Sequence, residues 1–362
     1  MVERARSLLL LAPNWLGDVV MASPLLSRLA AAVDPAGGAV RVHLAVRAAW
    51  APLFAGDPRV SGLVVIERPG RHAGIAGLVR QARDLRGVGA EGIVLGPPSL
   101  RAALAAAGAG IGVRVGYRGD GRSALLSVAV ARAPRGAVHH ADELRDLGDR
   151  LLAACGLTAG ADAREAAWGL LPVFAGRARP AAPGPLWVLG AGSTYGSAKE
   201  WPAAQARAFV AQAVGALGVR VAVLGDGAAA AFAAEVAGGL PVAAGGRAEP
   251  WAGVLDLTGR TGIAEAADLL ASADGFVGND SGLMHLAGAL GVPTVGIFGS
   301  TNPGWTAPLG PRVRTLAAEG FACRPCYRRT CNQPRFCLAT IGPDAVLAAL
   351  ADLGATTAKG SA

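Results

Sequence analysis

The chain alternates short apolar runs with longer segments in which apolar residues recur every three or four positions. In the first half, the apolar runs lie at 7–12, 40–46, 63–66, 92–95 and 113–116. The segments with helical periodicity lie at 19–33, 74–86 and 141–156. Short buried strands joined by amphipathic helices are typical of a parallel sheet covered on both faces. We therefore expect an α/β fold with a doubly wound parallel sheet.

The same alternation resumes in the second half, after a stretch that loses its periodicity. Residues 157–185 are rich in Gly, Ala and Pro, which is typical of a linker between domains. We therefore predict a first domain at 1–175, a linker at 176–184 and a second domain at 185–342. A final helix is predicted at 343–353, followed by a disordered tail at 354–362.

The composition of the chain indicates a globular protein with an anionic partner. At 362 residues, with 52% apolar and 17% charged residues, the chain can form two globular cores. Its net charge of +8 favours an anionic partner: a phosphate compound, a membrane surface or nucleic acid. The arginines are scattered and no aromatic residues are interleaved with them, so we expect no nucleic acid.

The hydropathy of the chain indicates the cellular compartment in which the protein is expected. No apolar run reaches the roughly 18 residues that a membrane-spanning helix needs. The apolar run at 7–12 is short for a signal peptide and ends at Pro13. We read this run as a first strand and expect a cytoplasmic protein.

The stretch at 274–303 has the most specific pattern, which predicts strand, turn, helix, strand and loop. Its turn carries Asn279, Asp280, Ser281 and Gly282, and His285 follows one helical turn after Ser281. Ligands of parallel sheets bind at the carboxyl ends of the strands, and a helix N-terminus suits a phosphate. The alternative is an ordinary helix cap followed by a core histidine.

Two other loops follow predicted strands and carry candidate chemistry. After the first strand, Gly17 permits a tight turn and Asp18 opens a helix, either as a general base or as a helix cap. The loop at 190–202 combines small residues with Ser193, Thr194 and Lys199, which suits an anion. It lacks the order of a Walker P-loop, and Lys199 could also be a surface lysine before a helix.

Four cysteines are clustered near the end of the second domain. The segment 323–337 has the spacing Cys-x2-Cys-x4-Cys-x5-Cys, formed by Cys323, Cys326, Cys331 and Cys337. Four thiols suit zinc, although the paired Cys-x2-Cys knuckles of common zinc sites are missing. Packed thiols, or disulfides formed during handling, are the alternatives.

The strings GNDSGLMHLAGALGVPTVGIFGSTNP and KEWP, with the loop around Asp18, resemble the lipopolysaccharide heptosyltransferases that use ADP-heptose. The similarity covers most of the chain and is strongest to the heptosyltransferase II branch. It implies a GT-B fold, in which two Rossmann-like domains face each other across a cleft. The first domain would bind the acceptor and the second the ADP-sugar. The implied reaction is inverting transfer of L-glycero-D-manno-heptose to an inner-core heptose of lipopolysaccharide.

The resemblance also implies roles for individual residues. Asp18 would be the catalytic base, and Lys199 would engage the diphosphate, so that Lys199→Ala weakens donor binding without changing the stability of the free protein. The donor would contact Ser193, Thr194, Asp226, Thr258, Gly259, Asn279, Asp280, Ser281, Gly282 and His285. A phosphorylated acceptor would contact Asn14, Trp15, Arg118 and Arg122. No bound metal is required, although Mg²⁺ is an alternative, and the protein would work peripherally on the inner face of the inner membrane.

Three alternatives to this function remain open from the sequence. One is a GT-B transferase with another nucleotide sugar as donor. Another is an epimerase or an NAD-dependent enzyme, although the lack of GxGxxG after the first strand argues against NAD. The third is a non-catalytic nucleotide-sugar-binding protein, against which the presence of both Asp18 and Lys199 argues.

Overall fold

The computed structural model describes residues 5–160, 184–241 and 253–358, together with the backbone of 360–361. The chain divides into two compact units, residues 1–173 and 174–362. The predicted linker at 176–184 lies outside the described residues except for Gly184.

The N-terminal unit is an alternation of strands and helices, as the apolar pattern predicts. Its strands are β1 Arg6–Leu11, β2 Ala32–Val33, β3 Val40–Arg47, β4 Gly62–Ile66, β5 Gly92–Leu95, β6 Val113–Tyr117, β7 Val128–Val130 and β8 Thr158–Ala159. Its helices are α1 Leu16–Met21, α2 Ser23–Ala30, α3 Gly74–Gly87, α4 Leu100–Gly108 and α5 His140–Ala154.

Six of these strands form one parallel sheet in the order β4-β3-β1-β5-β6-β7. The order reverses direction between β1 and β5, which is the switch point of a Rossmann-like sheet. Leu9, Leu11, Ile93 and Leu95 contribute from this switch point to a core that α4 completes with alanines. Residues that follow β1 and β5 therefore lie where this fold binds ligands.

Two local predictions for the N-terminal unit were wrong. The predicted helix at 19–33 is two helices, because Pro24 has no N–H to continue α1 and instead begins α2. Its end, Ala32–Val33, pairs as an antiparallel strand with β8. The second error is an omission, because the apolar runs predicted no strand at Val128–Val130, where β7 adds an edge strand to the sheet.

The C-terminal unit repeats the architecture. Its strands are β9 Leu186–Gly190, β10 Arg220–Leu224, β11 Val254–Asp256, β12 Gly275–Asn279, β13 Thr294–Phe298, β14 Val313–Ala317, β15 Thr356–Thr357 and β16 Gly360–Ser361. Its helices are α6 Ala203–Gly215, α7 Ala230–Ala237, α8 Ile263–Ala271, α9 Gly282–Ala289, α10 Pro303–Thr306 and α11 Pro343–Asp352.

The main sheet of this unit is also parallel, with the order β11-β10-β9-β12-β13-β14. Its switch point lies between β9 and β12, so the loops that begin at Ala191 and Asp280 emerge side by side. Trp187 on β9 stacks on Phe209 of α6 at 5.9 Å, and Trp201 packs against the same ring. These aromatic contacts hold the loop between β9 and α6 against the core.

The end of the chain differs from the predicted disordered tail at 354–362. Ala355 is fully buried, and the indole N–H of Trp187 donates to the carbonyl of Thr356 at 3.1 Å. β15 then pairs with β16. Burial of an apolar residue and a tryptophan hydrogen bond order this segment, which its composition alone did not reveal. Over the described ranges, none of the helices has the length and hydropathy required to cross a bilayer.

Candidate functional site

A buried ion pair joins the two loops at the switch point of the C-terminal unit. Lys199 Nζ donates to Asp280 Oδ2 at 2.7 Å and to the Asp280 carbonyl at 3.2 Å. Lys199 comes from the loop after β9, whereas Asp280 follows β12 directly. Their side chains are 14% and 6% exposed, so the two charges attract each other in a medium of low polarity. The structure therefore brings these two sequence candidates together.

The environment of Asp280 keeps its carboxylate ionised. Burial by itself would raise the pKa of this carboxyl, but His285 and Lys199 act in the opposite direction, and the pKa is held well below its usual range. His285 Nε2 lies 3.7 Å from Asp280 Oδ1, and Thr306 Oγ1 lies 3.4 Å from Oδ2. Nδ1 of His285 is buried without a hydrogen-bond partner among the described residues. A buried polar atom of this kind is expected where a ligand or a water completes a site.

Other predicted donor residues fix the two loops to each other. Asn279, which is 2% exposed, accepts a hydrogen bond from the backbone N–H of Trp201 at 2.8 Å. Glu200 accepts one from the N–H of Ser193 at 3.1 Å. The hydroxyl group of Thr194 stands on an exposed residue of the same loop. Asn279 thus holds the end of the loop in place, while Thr194 in its middle is exposed to a ligand.

Helix α9 begins at this position. Ser281 is its N-cap residue, with extended backbone and no side-chain capping bond, and Gly282 is its first residue. The first N–H groups of a helix have no partner within the helix and attract anions. This arrangement agrees with the predicted role of Ser281 and Gly282.

The loop after β13 adds groups that the sequence analysis did not single out. The hydroxyl oxygens of Ser300 and Thr301 are buried, and neither finds a hydrogen-bond partner within the described chain. Asn302 caps the short helix α10, which carries Thr306 towards Asp280. The signal in the sequence was the position of two hydroxyl residues directly after a buried parallel strand.

The three predicted nucleotide contacts follow strands β10 and β11, which lie on one side of β9 in the sheet. Asp226 follows β10 and caps the turn behind it by accepting from the N–H of Ala228 at 3.1 Å. Thr258 follows β11, but its hydroxyl donates to Asp256 at 2.7 Å. Gly259 has a φ of +67°, and an added Cβ would come within 2.9 Å of Gly227. These three residues line up at the same edge of the sheet, and their contacts with a nucleotide stay a prediction.

In the N-terminal unit, the predicted base stands beside a pocket. Asp18 is a half-buried residue in the first turn of α1. Asn14 and Trp15 precede that helix and line a pocket of about 510 Å³. Trp15 is 63% exposed, and the Asn14 carbonyl accepts a hydrogen bond from the indole of Trp50. The structure therefore places both predicted acceptor residues at a pocket mouth, next to the helix that carries Asp18.

This pocket is basic, and no carboxylate is found among the described residues that line it. Arg47, Arg68 and Arg101 line it where β3, β4 and β5 end. Arg101 donates to the carbonyls of Gly74 and His72, but its Nε has no partner among the described residues, and neither has the buried Oε1 of Gln81. Burial and the neighbouring Arg68 lower the pKa of Arg101. Such a pocket fits an anionic group, and no local sequence motif predicts it, because its arginines are far apart along the chain.

Arg122 is hydrogen-bonded within its own loop, Arg118 lies apart from the pocket lining, and the contacts of both with an acceptor stay a prediction. Arg122 is only 6% exposed and donates to the carbonyls of Tyr117 and Arg118 and to Asp120 Oδ2 at 2.9 Å. Its guanidinium stabilises the loop after β6 through these three hydrogen bonds. Arg118 is exposed on that loop and is not among the residues that line the basic pocket.

The four clustered cysteines all line one small cavity. We call residues 323–337 the cysteine-rich loop; its cysteines surround a cavity of about 20 Å³. Cys337 is buried in the core, and burial raises the pKa of its thiol, whereas Cys323 and Cys331 are exposed. Over the described residues, no group of three or more His, Cys, Asp or Glu side chains is arranged to hold a metal ion. The structure does not support a four-thiolate zinc site, and metal uptake by the loop stays a prediction.

Comparisons with known proteins agree on a single family. The model of glycosyltransferase family 9 (heptosyltransferase) matches residues 78–336. Lipopolysaccharide heptosyltransferase 2 of Salmonella typhimurium is 27% identical over 332 residues, which cover 85% of this chain and 87% of that protein. The match to lipopolysaccharide heptosyltransferase 1 of Pseudomonas aeruginosa is local, with 45% identity over 73 residues and 20% of that protein's length.

Solved structures show the same fold. The structure of Escherichia coli ADP-heptose lipopolysaccharide heptosyltransferase II covers 96% of this chain and 98% of its own, with a TM-score of 0.69 and 24% identity. Escherichia coli heptosyltransferase WaaC with ADP covers 96% and 99%, with a TM-score of 0.70 and 19% identity. The two Rossmann-like sheets are therefore those of a GT-B fold, as the sequence predicts. Because the family model covers most of both units, the chain belongs to glycosyltransferase family 9, the heptosyltransferases.

Proposed function

We propose that this chain transfers heptose from ADP-heptose to an inner-core heptose of lipopolysaccharide, with inversion at the anomeric carbon. The observation that carries the proposal is the Lys199–Asp280 pair at the switch point of the C-terminal unit. It stands beside the start of α9 and the hydroxyls of Ser300 and Thr301, which have no partner among the described residues. WaaC, which shares the fold, has been solved with ADP and with ADP-2-deoxy-2-fluoro heptose. We assign the donor to the C-terminal unit because the ion pair, the start of α9 and these hydroxyls lie there.

Stabilisation of the leaving diphosphate falls to groups of this unit. Lys199, the hydroxyls of Ser193 and Thr194, and the first N–H groups of α9 are donors that can act on developing negative charge. Donors that are already fixed in place cost little reorganisation during the reaction. The proposal therefore requires no bound metal, and Mg²⁺ stays an alternative to be tested by chelation.

Asp18 acts as the general base in this proposal. A carboxylate in the first turn of α1 can take the proton of the acceptor hydroxyl as the bond to the anomeric carbon forms. Attack from the face opposite to the departing diphosphate inverts the configuration.

The acceptor side is the basic pocket of the N-terminal unit. Its three arginines and its lack of lining carboxylates suit a phosphorylated sugar, and its volume of about 510 Å³ suits a saccharide-sized group. The net charge of +8 is also consistent with peripheral work on the anionic inner face of the inner membrane.

The experiment compares donors and then tests the base. Calorimetric titration with ADP-heptose, GDP-mannose and UDP-glucose should show binding of ADP-heptose alone. Asp18→Asn should keep donor affinity while transfer falls by about 10²-fold or more, which is the range for a lost general base. Asp142→Asn is the matched control, because Asp142 is an acidic residue in the first turn of α5.

The outcomes separate the alternatives. Binding of ADP-heptose without transfer to any phosphorylated inner-core acceptor would favour a non-catalytic binding protein. Preference for GDP- or UDP-sugars would overturn the donor assignment, and normal transfer by Asp18→Asn would remove the base role. The anomeric configuration of the product, read from NMR coupling constants, tests inversion.

A further inference from the structure

The cysteine-rich loop is hydrogen-bonded to the loop that carries Lys199. The N–H of Ala198 donates to the carbonyl of Arg329 at 3.0 Å, and the hydroxyl of Tyr195 donates to the carbonyl of Tyr327. The N–H of Tyr327 in turn donates to the carbonyl of Ser300 at 2.8 Å. The cysteine-rich loop thus contacts the loop after β9, which carries Lys199, and the loop after β13, which carries Ser300. We assign both of these loops to the donor.

Gly196 shows how close this contact is. Its φ of +145° is unfavourable for other residues, and a Cβ at this position would lie 2.3 Å from the carbonyl oxygen of Arg329. A glycine is therefore required where the backbones of the two loops meet. This contact fixes the backbone of Arg329 beside Tyr195.

Two cations lie within 6 Å of the centre of one aromatic ring, that of Tyr195. Lys199 Nζ is 5.0 Å from the centroid of the Tyr195 ring, and the guanidinium carbon of Arg329 is 5.6 Å from the same centroid. Cations within about 6 Å of a ring centroid are attracted by the ring. Arg329 is exposed, and among the described residues no carboxylate pairs with it. Its N–H groups can therefore reach a ligand while the ring orients its plane.

The charged groups of the donor loops indicate that a diphosphate needs a cation besides Lys199. The charge of Lys199 is balanced by the ionised Asp280 at 2.7 Å, and Glu200 adds another carboxylate at the N–H of Ser193. Arg324 is nearby, but its guanidinium is directed to the backbone carbonyls of Gly299 and Phe298. Lys199 and Arg324 together balance these two carboxylates, which leaves the donor loops without a net positive charge for a diphosphate. Arg329 is an exposed cation next to these loops and can supply that charge.

We propose that Arg329, on the cysteine-rich loop, is a second cationic ligand of the donor diphosphate, and that Tyr195 positions both Arg329 and Lys199. The guanidinium would donate two parallel hydrogen bonds to phosphate oxygens, which a lysine cannot do. This inference rests on the proposed function, because it takes the loop at 193–200 as the diphosphate site.

The test is titration of the full-length protein with ADP and with adenosine. Arg329→Gln should weaken ADP binding about tenfold, as expected for one lost hydrogen bond to a charged group, and leave adenosine binding unchanged. Arg328→Gln is the matched control: Arg328 is the exposed neighbour, its guanidinium bonds Asn332 of the same loop, and ADP affinity should stay within twofold of wild type.

Tyr195 is tested by two substitutions. Tyr195→Phe keeps the ring and should keep ADP affinity within about threefold, whereas Tyr195→Leu removes the ring and should match the loss seen in Arg329→Gln. If Tyr195 only held the loop together, both substitutions would have the same effect on ADP affinity, and the positioning role would be rejected.

The possible failures are distinguishable. A wild-type protein that binds neither ADP nor ADP-heptose would overturn the proposed function itself. Wild-type binding of ADP with equal affinity for Arg329→Gln would overturn only the role of Arg329. Equal loss of ADP and adenosine binding in Arg329→Gln would assign Arg329 to loop structure instead of phosphate contact.

Discussion

In the C-terminal unit, the polar groups at the carboxyl ends of the strands are bonded to one another, whereas in the N-terminal unit they line an open pocket. Lys199 pairs with Asp280, and Asn279 accepts from the backbone of Trp201. By contrast, Arg101 and Gln81 keep unpartnered polar atoms in the basic pocket, as judged over the described residues. The C-terminal site is therefore held together by an internal ion pair, and among the described residues its unpartnered polar groups are those of His285, Ser300 and Thr301, whereas the basic pocket presents arginine side chains to a ligand.

This difference predicts two kinds of variant. A change in the bonded network removes both a ligand contact and an internal partner, so it should lower stability and binding together. A change in the basic pocket should lower acceptor binding alone. Measuring stability beside affinity for variants of both units therefore tests the comparison directly.

The largest effect is expected for Lys199→Ala. The sequence suggested that this change leaves the stability of the free protein unaltered. The structure shows instead that it would leave the buried carboxylate of Asp280 without its lysine partner. Loss of one partner of a buried ion pair costs about 3 kcal/mol. We expect that loss in urea denaturation, together with weaker ADP binding in calorimetry. Adding Asp280→Asn to Lys199→Ala should recover most of the stability, and no recovery would show that the ion pair is not the cause.

Acid dependence gives an independent check on the same pair. The pKa of Asp280 in the folded protein is held below its value in an unfolded chain, which is about 3.9. A group with a lowered pKa stabilises the fold above its unfolded pKa, and this contribution is lost as pH falls through the folded pKa. The difference in unfolding free energy between wild type and Lys199→Ala should be constant from pH 7 to about pH 5 and shrink below about pH 4. A difference that persists undiminished at pH 3 would contradict the assignment.

Arg122 lies in the N-terminal unit, but its hydrogen bonds are within its own loop. We therefore expect its substitution to lower stability and to leave acceptor binding unchanged. Arg122→Ala leaves the carbonyls of Tyr117 and Arg118 without their donor, at a cost of about 2 kcal/mol in unfolding free energy. Acceptor KM should not change. The exposed Arg118 offers the control, because Arg118→Ala should shift stability by less than about 0.5 kcal/mol. A rise in KM without loss of stability for Arg122→Ala would restore the role that the sequence suggested.

Arg68 should show the opposite behaviour. Arg68→Gln removes an exposed charge from the pocket and should raise KM for a phosphorylated acceptor about tenfold, as a lost phosphate contact would, with stability within about 0.5 kcal/mol of wild type. Arg71→Gln is the control, because Arg71 pairs with Asp84 and does not line the pocket. The effect of Arg68→Gln should disappear with a dephosphorylated acceptor. An equal rise in KM for both acceptors would separate Arg68 from phosphate recognition.

The same comparison explains what could be predicted from the sequence. Parallel strands that are buried on both faces appear as apolar runs, so the strands of both sheet centres were recognised, whereas the short edge strand Val128–Val130 was not. Asp280, Ser281 and Gly282 are contiguous, and a turn motif reveals them. Arg68 and Arg101 belong to different crossovers, and only the sheet brings them together.

The smallest effects are expected in the cysteine-rich loop, and they decide between packed thiols and a metal site. Cys337→Ser places a hydroxyl in the core without an assured partner and should cost about 1–2 kcal/mol in unfolding free energy. Cys323→Ser changes an exposed side chain and should cost less than about 0.5 kcal/mol.

A zinc held by four thiolates would make both substitutions similarly destabilising, because each would remove a ligand and metal binding is coupled to folding. Protein purified without chelator would then contain about one zinc per chain. Unequal stability losses with substoichiometric metal would instead leave Cys337 as a core residue and Cys323 as a surface thiol.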